Sequence, residues 1–446
     1  MGIIERLFNV SASGSTVRAE MLAGLTTFVT MAYIIFVQPT VLSAAGMDFG
    51  AVLVATCVAS GLATLLMAFL ANYPIAVAPA MGHNFFFAYT VVGAMKVPWQ
   101  VALGGVAVAG VIFILTAGIG LRERVITAIP DSLKRAIAVG IGLLIALVGL
   151  EWAGIIVGAP GTYVTLGNLR ALPTVVALAG ILVAAILVAR RVRGALLGGM
   201  LASAASGLVA GVIRFQGVVS APPSIAPTFM KLDVAGVFQP AMIPVVFVFF
   251  FLALFDSVGT LVGVAGQAGL MKDGRLPRAR GALLADAIGT VAGAGLGTST
   301  VTAYIESAAG VSAGGRTGLA NVVTASLFFL SLFFYPLVRT IAGGTPGTTG
   351  TPGTSGTLYP VIAPALVLVG AMMLREVRHI SWEDSTESIP AFLTIVIMPL
   401  AVSITDGIAF GFISYAILKL AAGRGREVDW LVYLFATLFL VRYAAL

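Results

Sequence analysis

Charge is what this chain has least of. Of its 446 residues only 10% are Asp, Glu, Lys or Arg, against about 25% in a soluble domain. A single cysteine, Cys57, rules out an internal disulfide. The two histidines, His83 and His379, stand far apart with no HExxH or CxxC beside them. No structural zinc is therefore expected, and no metal or organic cofactor is assigned. No cleavable leader pattern precedes the first apolar run, and Arg6 stands where a myristoylation signal needs Ser or Thr. The run "GAGLG" around Gly295 follows no strand of a βαβ unit, so it is not read as a phosphate loop.

Hydrophobic length takes the place of charge. The apolar fraction is 59%, and apolar runs of about 18 or more residues mark membrane helices. The runs predict an all-α polytopic membrane protein with fourteen spans: 21–44, 50–71, 75–94, 98–120, 133–153, 172–190, 195–214, 241–268, 280–294, 296–313, 317–340, 360–375, 389–404 and 406–421. A fifteenth apolar run, 430–446, is short and ambiguous. Residues 1–20 read as a cytoplasmic segment lying on the membrane surface through Ile3, Ile4, Leu7 and Phe8. Met1 to Leu446 then forms a multi-pass chain of the inner (plasma) membrane.

The net charge of +7 is explained by the membrane and not by nucleic acid. With a cytoplasmic N-terminus, nineteen of the 25 Lys and Arg fall in inner loops, among them Arg122, Arg124, Lys134, Arg135, Lys272, Arg275, Lys419 and Arg424. Five fall outside: Lys96, Arg170, Arg214, Lys231 and Arg339; Arg442 is unassigned. This is the positive-inside asymmetry. Two outer loops, 157–173 and 217–236, are rich in Pro and Gly. The stretch "GGTPGTTGTPGTSGT" at 343–357 is a low-complexity linker.

The spans divide seven and seven around the 215–240 loop. Seven is odd, so the second half starts from the opposite side and forms an inverted repeat. Span three holds "VAPAMGHNFFFAY" and span ten "LGTSTVTAYIESAAG". Both interrupt the apolar pattern at matching places, which predicts short extended segments lining a midplane site.

Three acids sit in apolar surroundings: Asp256 in "FLALFDSVGTLVG", Asp286 in "LLADAIGT" and Glu306. Each costs about 2.5–3.5 kcal/mol at the bilayer centre. No Lys or Arg within those spans neutralises Asp256 or Glu306, and hydroxyl residues flank them: Ser257, Thr260, Thr300 and Thr302. Their expected partner is a ligand, a proton, or each other. Asn84 offers a donor and an acceptor. One of Phe85, Phe86 and Phe87 could stack on a flat ring. His83 is open between a ligand contact, a proton carrier and a satisfied interior residue, whereas His379 reads as a surface residue. Glu151 and Asp406 fall near outer span ends and are given no special role.

These segments resemble the nucleobase–cation symporter family, in particular its AzgA-like purine permease branch. The resemblance rests on "GLTTFVTMAYIIFVQP", "APAMGHNFFFAY", "FDSVGTLVGVA", "LLADAIGT", "GTSTVTAYIESAAGVSAGGRTGL" and "IPAFLTIVIMPLAVSITDGIAFGFISY". It implies a core domain (21–120 and 241–340) that carries substrate against a gate domain (133–214 and 360–421), with 422–446 a C-terminal apolar segment. It implies that Asp256 and Glu306 hydrogen-bond the base, that Asn84 and Gly82 shape the site, that Asp286 supports it, and that the protein is a homodimer. The branch pattern is not met everywhere: Ala80 replaces a usual Gly, His83 fills a variable position, Phe85 stands where Ala is usual, and Ala253 replaces a second acid.

The resulting expectation is a secondary transporter, not an enzyme, that imports purine nucleobases (hypoxanthine, guanine or adenine) by proton symport and an elevator motion. His83, Phe85 and Thr300 join the substrate contacts, and Thr260 supports them. Glu306 is assigned to proton coupling and Asp256 to base recognition, with exchange of the two roles left open. A proton is expected in preference to sodium. The alternatives are an anion carrier of sulfate or bicarbonate type on the same fold, a membrane-embedded enzyme, and a channel. This sequence lacks what each would require: respectively, a basic residue near the broken spans, a nucleophile–base or metal-ligand set, and a polar stripe along whole helices.

Overall fold

The computed structural model describes residues 3–119, 129–159, 162–271, 276–347 and 356–444. Arg122, Arg124, Lys272, Arg275 and linker residues 348–355 lie outside the described residues. The first part contains α1 (Ile3–Phe8), α2 (Val17–Met31), α3 (Ile34–Ser43), α4 (Phe49–Leu70), β1 (Val77–Pro79), α5 (Met81–Phe85) and α6 (Trp99–Ile119). Between α5 and α6 the chain continues as a π-helix, Phe86–Ala94. Next come α7 (Asp131–Trp152), a hairpin of β2 (Ile156–Ala159) and β3 (Tyr163–Leu166), α8 (Leu172–Ala189) and α9 (Ala195–Val209). The second part holds α10 (Ile243–Gln267), α11 (Ala279–Leu296), β4 (Val301–Ala303), α12 (Ser307–Ser312), α13 (Gly318–Ser331) and α14 (Tyr335–Ala342). After the short strands β5 (Thr345–Pro346) and β6 (Thr357–Leu358) follow α15 (Ala363–Met373), α16 (Ser385–Leu400), α17 (Ile404–Ala421) and α18 (Trp430–Ala444).

Among the described residues, eight helical stretches of at least 18 residues are apolar enough to cross a membrane. That is fewer than the fourteen runs read from sequence. Two of the runs, 75–94 and 296–313, are broken by β1 and β4, and several others form helices shorter than that length, such as Ala195–Val209 and Ser385–Leu400. Side-chain caps start several helices: Thr16 accepts from the Ala19 N–H, Asp48 from Ala51 and Asp384 from Thr386. Gly297, at φ 101°, turns the chain out of α11 toward β4.

The helices pack as two groups. In one, α2 and α4 lie against α13, α4 and α6 against α11, and α6 against α10. In the other, α7 lies against α15 and α16, α8 against α9 and α15, and α16 against α17. The crossing of α7 and α15 is backbone on backbone. A Cβ on Gly370 would strike the Gly142 carbonyl oxygen, and one on Gly142 would meet the Gly370 carbonyl and Met373.

One segment differs from the sequence reading, and two others are specified further. Phe8 does not face the membrane; it is buried with Val10, Ala68 and Leu319 and lies 5.8 Å from the Phe69 ring, while Ile3, Ile4 and Leu7 stay exposed. The 217–236 loop is strapped down: Met230 N–H donates to the Gly295 carbonyl (2.7 Å), Asp233 N–H to Gln100 (2.9 Å) and the Thr228 hydroxyl to Leu296 (3.0 Å). The ambiguous last run is helical. α18 returns along α17, and the Tyr443 hydroxyl donates to Asp406 (2.7 Å) at the start of α17.

Candidate functional site

The two interrupted runs meet each other. β1 and β4 pair antiparallel, with Val77 opposite Ala303, Ala78 opposite Thr302 and Pro79 opposite Val301. Ala80 N–H donates to the Thr300 carbonyl (3.0 Å) and Tyr304 N–H to Ala76 (2.9 Å), which lengthens the ladder at both ends. Extended backbone in an apolar interior must find partners for every N–H and C=O. Part of that need is met by two threonines in equivalent roles. The Thr64 hydroxyl, from α4, donates to the Val77 carbonyl and accepts from the Val77 N–H, both at 3.0 Å. The Thr290 hydroxyl, from α11, does the same for Val301 at 2.8 and 3.2 Å. Asp286, also on α11, accepts from the Ala303 N–H (3.2 Å).

Asp256 sits midway along α10 and faces this crossing. Its Oδ2 accepts from the Thr302 hydroxyl (3.0 Å). The side chain is nonetheless open, because it borders a cavity of about 470 Å³. Gly82, His83 and Thr260 line the same cavity, with Phe251 and Phe255 supplying aromatic walls. Thr260 is one helical turn beyond Asp256, hence on the same face. Gly82 leaves room for α5 against Ile141 of α7; a Cβ there would touch the Ile141 side chain at 3.0 Å. The cavity extends to Asp131, Lys134, Arg135 and Glu376. There Lys134 pairs with Asp131 (2.9 Å) and lies over the Phe255 ring at 5.5 Å, and Arg135 pairs with Glu376 (2.6 Å).

Glu306 precedes α12 and is partly buried. Its Oε1 accepts from the Tyr33 hydroxyl of the α2–α3 turn at 2.6 Å, and the Thr30 hydroxyl reaches its carbonyl at 3.3 Å. Tyr304 completes this shell and donates to the Pro79 carbonyl. Asp256 and Glu306 lie within electrostatic reach of one another, and Tyr304 of both.

Asn84 takes part in a buried polar chain. Its Oδ1 accepts from the Ser299 hydroxyl, and Gln38 Nε2 in turn donates to Ser299 (3.2 Å) and Thr298 (2.8 Å). Asn84 Nδ2, the Thr300 hydroxyl and both ring nitrogens of His83 are buried without a hydrogen-bond partner among the described residues. Phe85 is fully buried and stacks on Tyr89 (5.5 Å, 9°), away from the cavity. The rings that line it, Phe251 and Phe255, come from the long apolar run of α10, which gave no reason to single them out. The sequence pattern does not single out Tyr33, Gln38 or Thr64 either. Their signal is a polar group inside an otherwise apolar run. Glu20 escaped notice too; it is fully buried and accepts from the backbone of Arg316 and Thr317. His379 is exposed, as read. No group of three or more Cys, His, Asp or Glu among the described residues is placed to hold a metal.

Residues 18–410 match the family model Xan_ur_permease, described as a permease family. The chain belongs to that permease family. The permease is 43% identical over 442 residues to the adenine permease AdeP of Escherichia coli, covering 99% of this chain and 96% of that one. It is 42% identical over 452 residues to the guanine/hypoxanthine permease PbuG of Bacillus subtilis, covering 99% of each. In fold it is similar to the transmembrane domain of the cyanobacterial bicarbonate transporter BicA: TM-score 0.60, 16% identity, 88% of this chain and 97% of that domain. The permease is thus a multi-pass membrane transport protein and not an enzyme.

Proposed function

We propose that the permease carries purine nucleobases together with a proton. The observation that carries this reading is Asp256: an acid with one hydroxyl partner, open to a cavity walled by Phe251 and Phe255. A purine is flat, uncharged and edged with ring N–H and amine donors. A carboxylate accepts from those donors, and aromatic rings cover the faces. Asp256 in this cavity, with Glu306 behind it and outside the cavity lining, suits such a ligand better than an anion. The names of the relatives AdeP and PbuG point to the same class of cargo. The single free amide of Asn84 and the Thr300 hydroxyl add neutral donors behind the strands.

Glu306 is the proton carrier in this scheme. It lies beyond Asp256 in a shell of Tyr33 and Tyr304, reached from the base-binding side through Thr302 and the strand crossing. The cavity opens beside Lys134 and Arg135, the face marked as cytoplasmic by the positive-inside pattern, so the arrangement is inward-facing. The core domain is the group around α4, α11 and α13; the gate is the group around α7, α15 and α16. Fourteen spans in two inverted repeats, with the β1–β4 crossing on the pseudo-axis, place the acids on the moving body. The core slides along the gate as an elevator, and two gates join in a homodimer.

The test is uptake of labelled adenine, guanine or hypoxanthine into vesicles under an imposed pH gradient. Accumulation driven by an inward proton gradient is expected. Uptake of none of the bases removes the cargo, and accumulation indifferent to the gradient removes the proton. The anion reading has one observation in its favour, the BicA-like fold. The cations at the cavity mouth do not help it, since both are already paired with acids.

A further inference from the structure

α7 has the Asp256 cavity at one end and a second, smaller hollow at the other. The helix runs 22 residues from Asp131 to Trp152, about 33 Å at 1.5 Å per residue. The hollow at its far end therefore opens on the opposite side of the membrane. It measures about 260 Å³ and is bordered by Glu151, Trp152, Tyr359 and Ala44. Its walls come from both helix groups: Ala44 follows α3, while the other three belong to α7 and the segment before α15.

Its chemistry repeats that of the inner cavity. Trp152 and Tyr359 present two rings with centroids 4.6 Å apart at 49°. The exposed Glu151 carboxylate stands beside them, and its side chain has no hydrogen-bond or ion-pair partner among the described residues. The rings also continue inward. Trp152 lies against Tyr89, within reach of its hydroxyl, and Tyr89 stacks on Phe85, next to Asn84. A line of aromatic faces thus joins the outer hollow to the buried polar chain. Tyr89 lies within the π-helical stretch Phe86–Ala94.

We propose that this hollow is an outer docking site for the transported heterocycle, with Glu151 accepting its N–H groups and Trp152 and Tyr359 covering its face. The volume of about 260 Å³ leaves room for one bicyclic ring system. The site concentrates the base at the closed outer side, above the Trp152–Tyr89–Phe85 line that must part when the core moves outward. This rests on the nucleobase reading.

Uptake measured from each membrane face separately tests it, with wild type, Glu151→Gln, Tyr359→Leu and Trp152→Phe in right-side-out and inside-out vesicles. For Glu151→Gln and Tyr359→Leu, KM from the outer face is expected to rise roughly tenfold, the loss of one charged hydrogen bond or one stacking face. KM from the cytoplasmic face stays as in wild type, and efflux kcat falls by the same factor, because the transport equilibrium ties kcat/KM in the two directions together. Trp152→Phe keeps a ring and is expected to stay within about threefold. An unchanged outer KM overturns the docking site and leaves the nucleobase reading standing. Equal shifts on both faces also overturn it, since they mark a general structural effect. A wild type that carries no base from either face overturns both.

Discussion

Asp256 and Glu306 meet their surroundings in different ways. Asp256 shares one hydroxyl, from Thr302, and otherwise looks into open space. Glu306 is held at 2.6 Å by Tyr33. Asp256→Asn replaces half of the acceptor with a donor, so the base loses its partner while the protein keeps its shape. Thermal stabilisation by adenine, guanine or hypoxanthine is expected in wild type and absent in this variant. Tyr33→Phe removes only the hydroxyl on Glu306. Base-induced stabilisation is then expected to persist, while gradient-driven uptake falls by roughly tenfold, about the value of one hydrogen bond to a charged group. Loss of both together would make Tyr33 part of the base site. The two acids were legible in the sequence because an ionised group in an apolar run needs a reason. Tyr33 was not, because a tyrosine in such a run is ordinary; only the fold brings it from the α2–α3 turn to a residue 273 positions away.

Interrupted spans were legible as interruptions, and the structure adds what holds them. A stretch of Pro, Gly and hydroxyl residues in an apolar run signals broken helix, but not which strand pairs with which. The threonine clasps on β1 and β4 escaped for a similar reason. Thr64 and Thr290 lie inside helices, where a threonine normally returns its hydroxyl to its own backbone. Here each turns to a neighbouring strand. Thr290→Val leaves the Val301 N–H and carbonyl unpaired in the interior and is expected to cost about 1–3 kcal/mol, read as a lower midpoint of thermal unfolding in detergent. The α7–α15 crossing is equally intolerant. Gly370→Val drives a side chain into the Gly142 carbonyl, and overpacking of this kind costs about 1–3 kcal/mol. A variant as stable as wild type would mean that the two helices separate freely.

The cytoplasm-marked ends of α16 and α17 are tied by charge. Lys419 is buried at the last turn of α17, 2.9 Å from Glu387 and 3.3 Å from Glu427, and Arg424 clasps Asp384 (2.6 Å) and Glu427 (2.8 Å). The sequence assigned Lys419 to an inner loop, since burial of a terminal lysine depends on acids that arrive from two other segments. Lys419→Met strands Glu387 beside an apolar group and is expected to destabilise by about 3 kcal/mol. The Arg424 guanidinium holds the carboxyls of Asp384 and Glu427 below their ordinary range. A carboxyl whose folded value is depressed stabilises the fold above its unfolded value and loses that contribution as pH falls through the folded one. Unfolding midpoints are therefore expected to drop as pH goes below about 4, and Arg424→Gln is expected to flatten that dependence. An identical acid profile in wild type and variant would show that the cluster contributes nothing.

The strand crossing also sets a timetable for biogenesis. Pro79 and Tyr304, joined in the finished protein, lie 225 residues apart in the chain. At about 5–20 residues per second, the ribosome delivers the second strand roughly 10–45 s after the first. Throughout that interval the first strand waits inside the lipid phase with its ladder unfilled, so the half-made permease needs a shelter, whether translocon wall or chaperone, that the completed one does not.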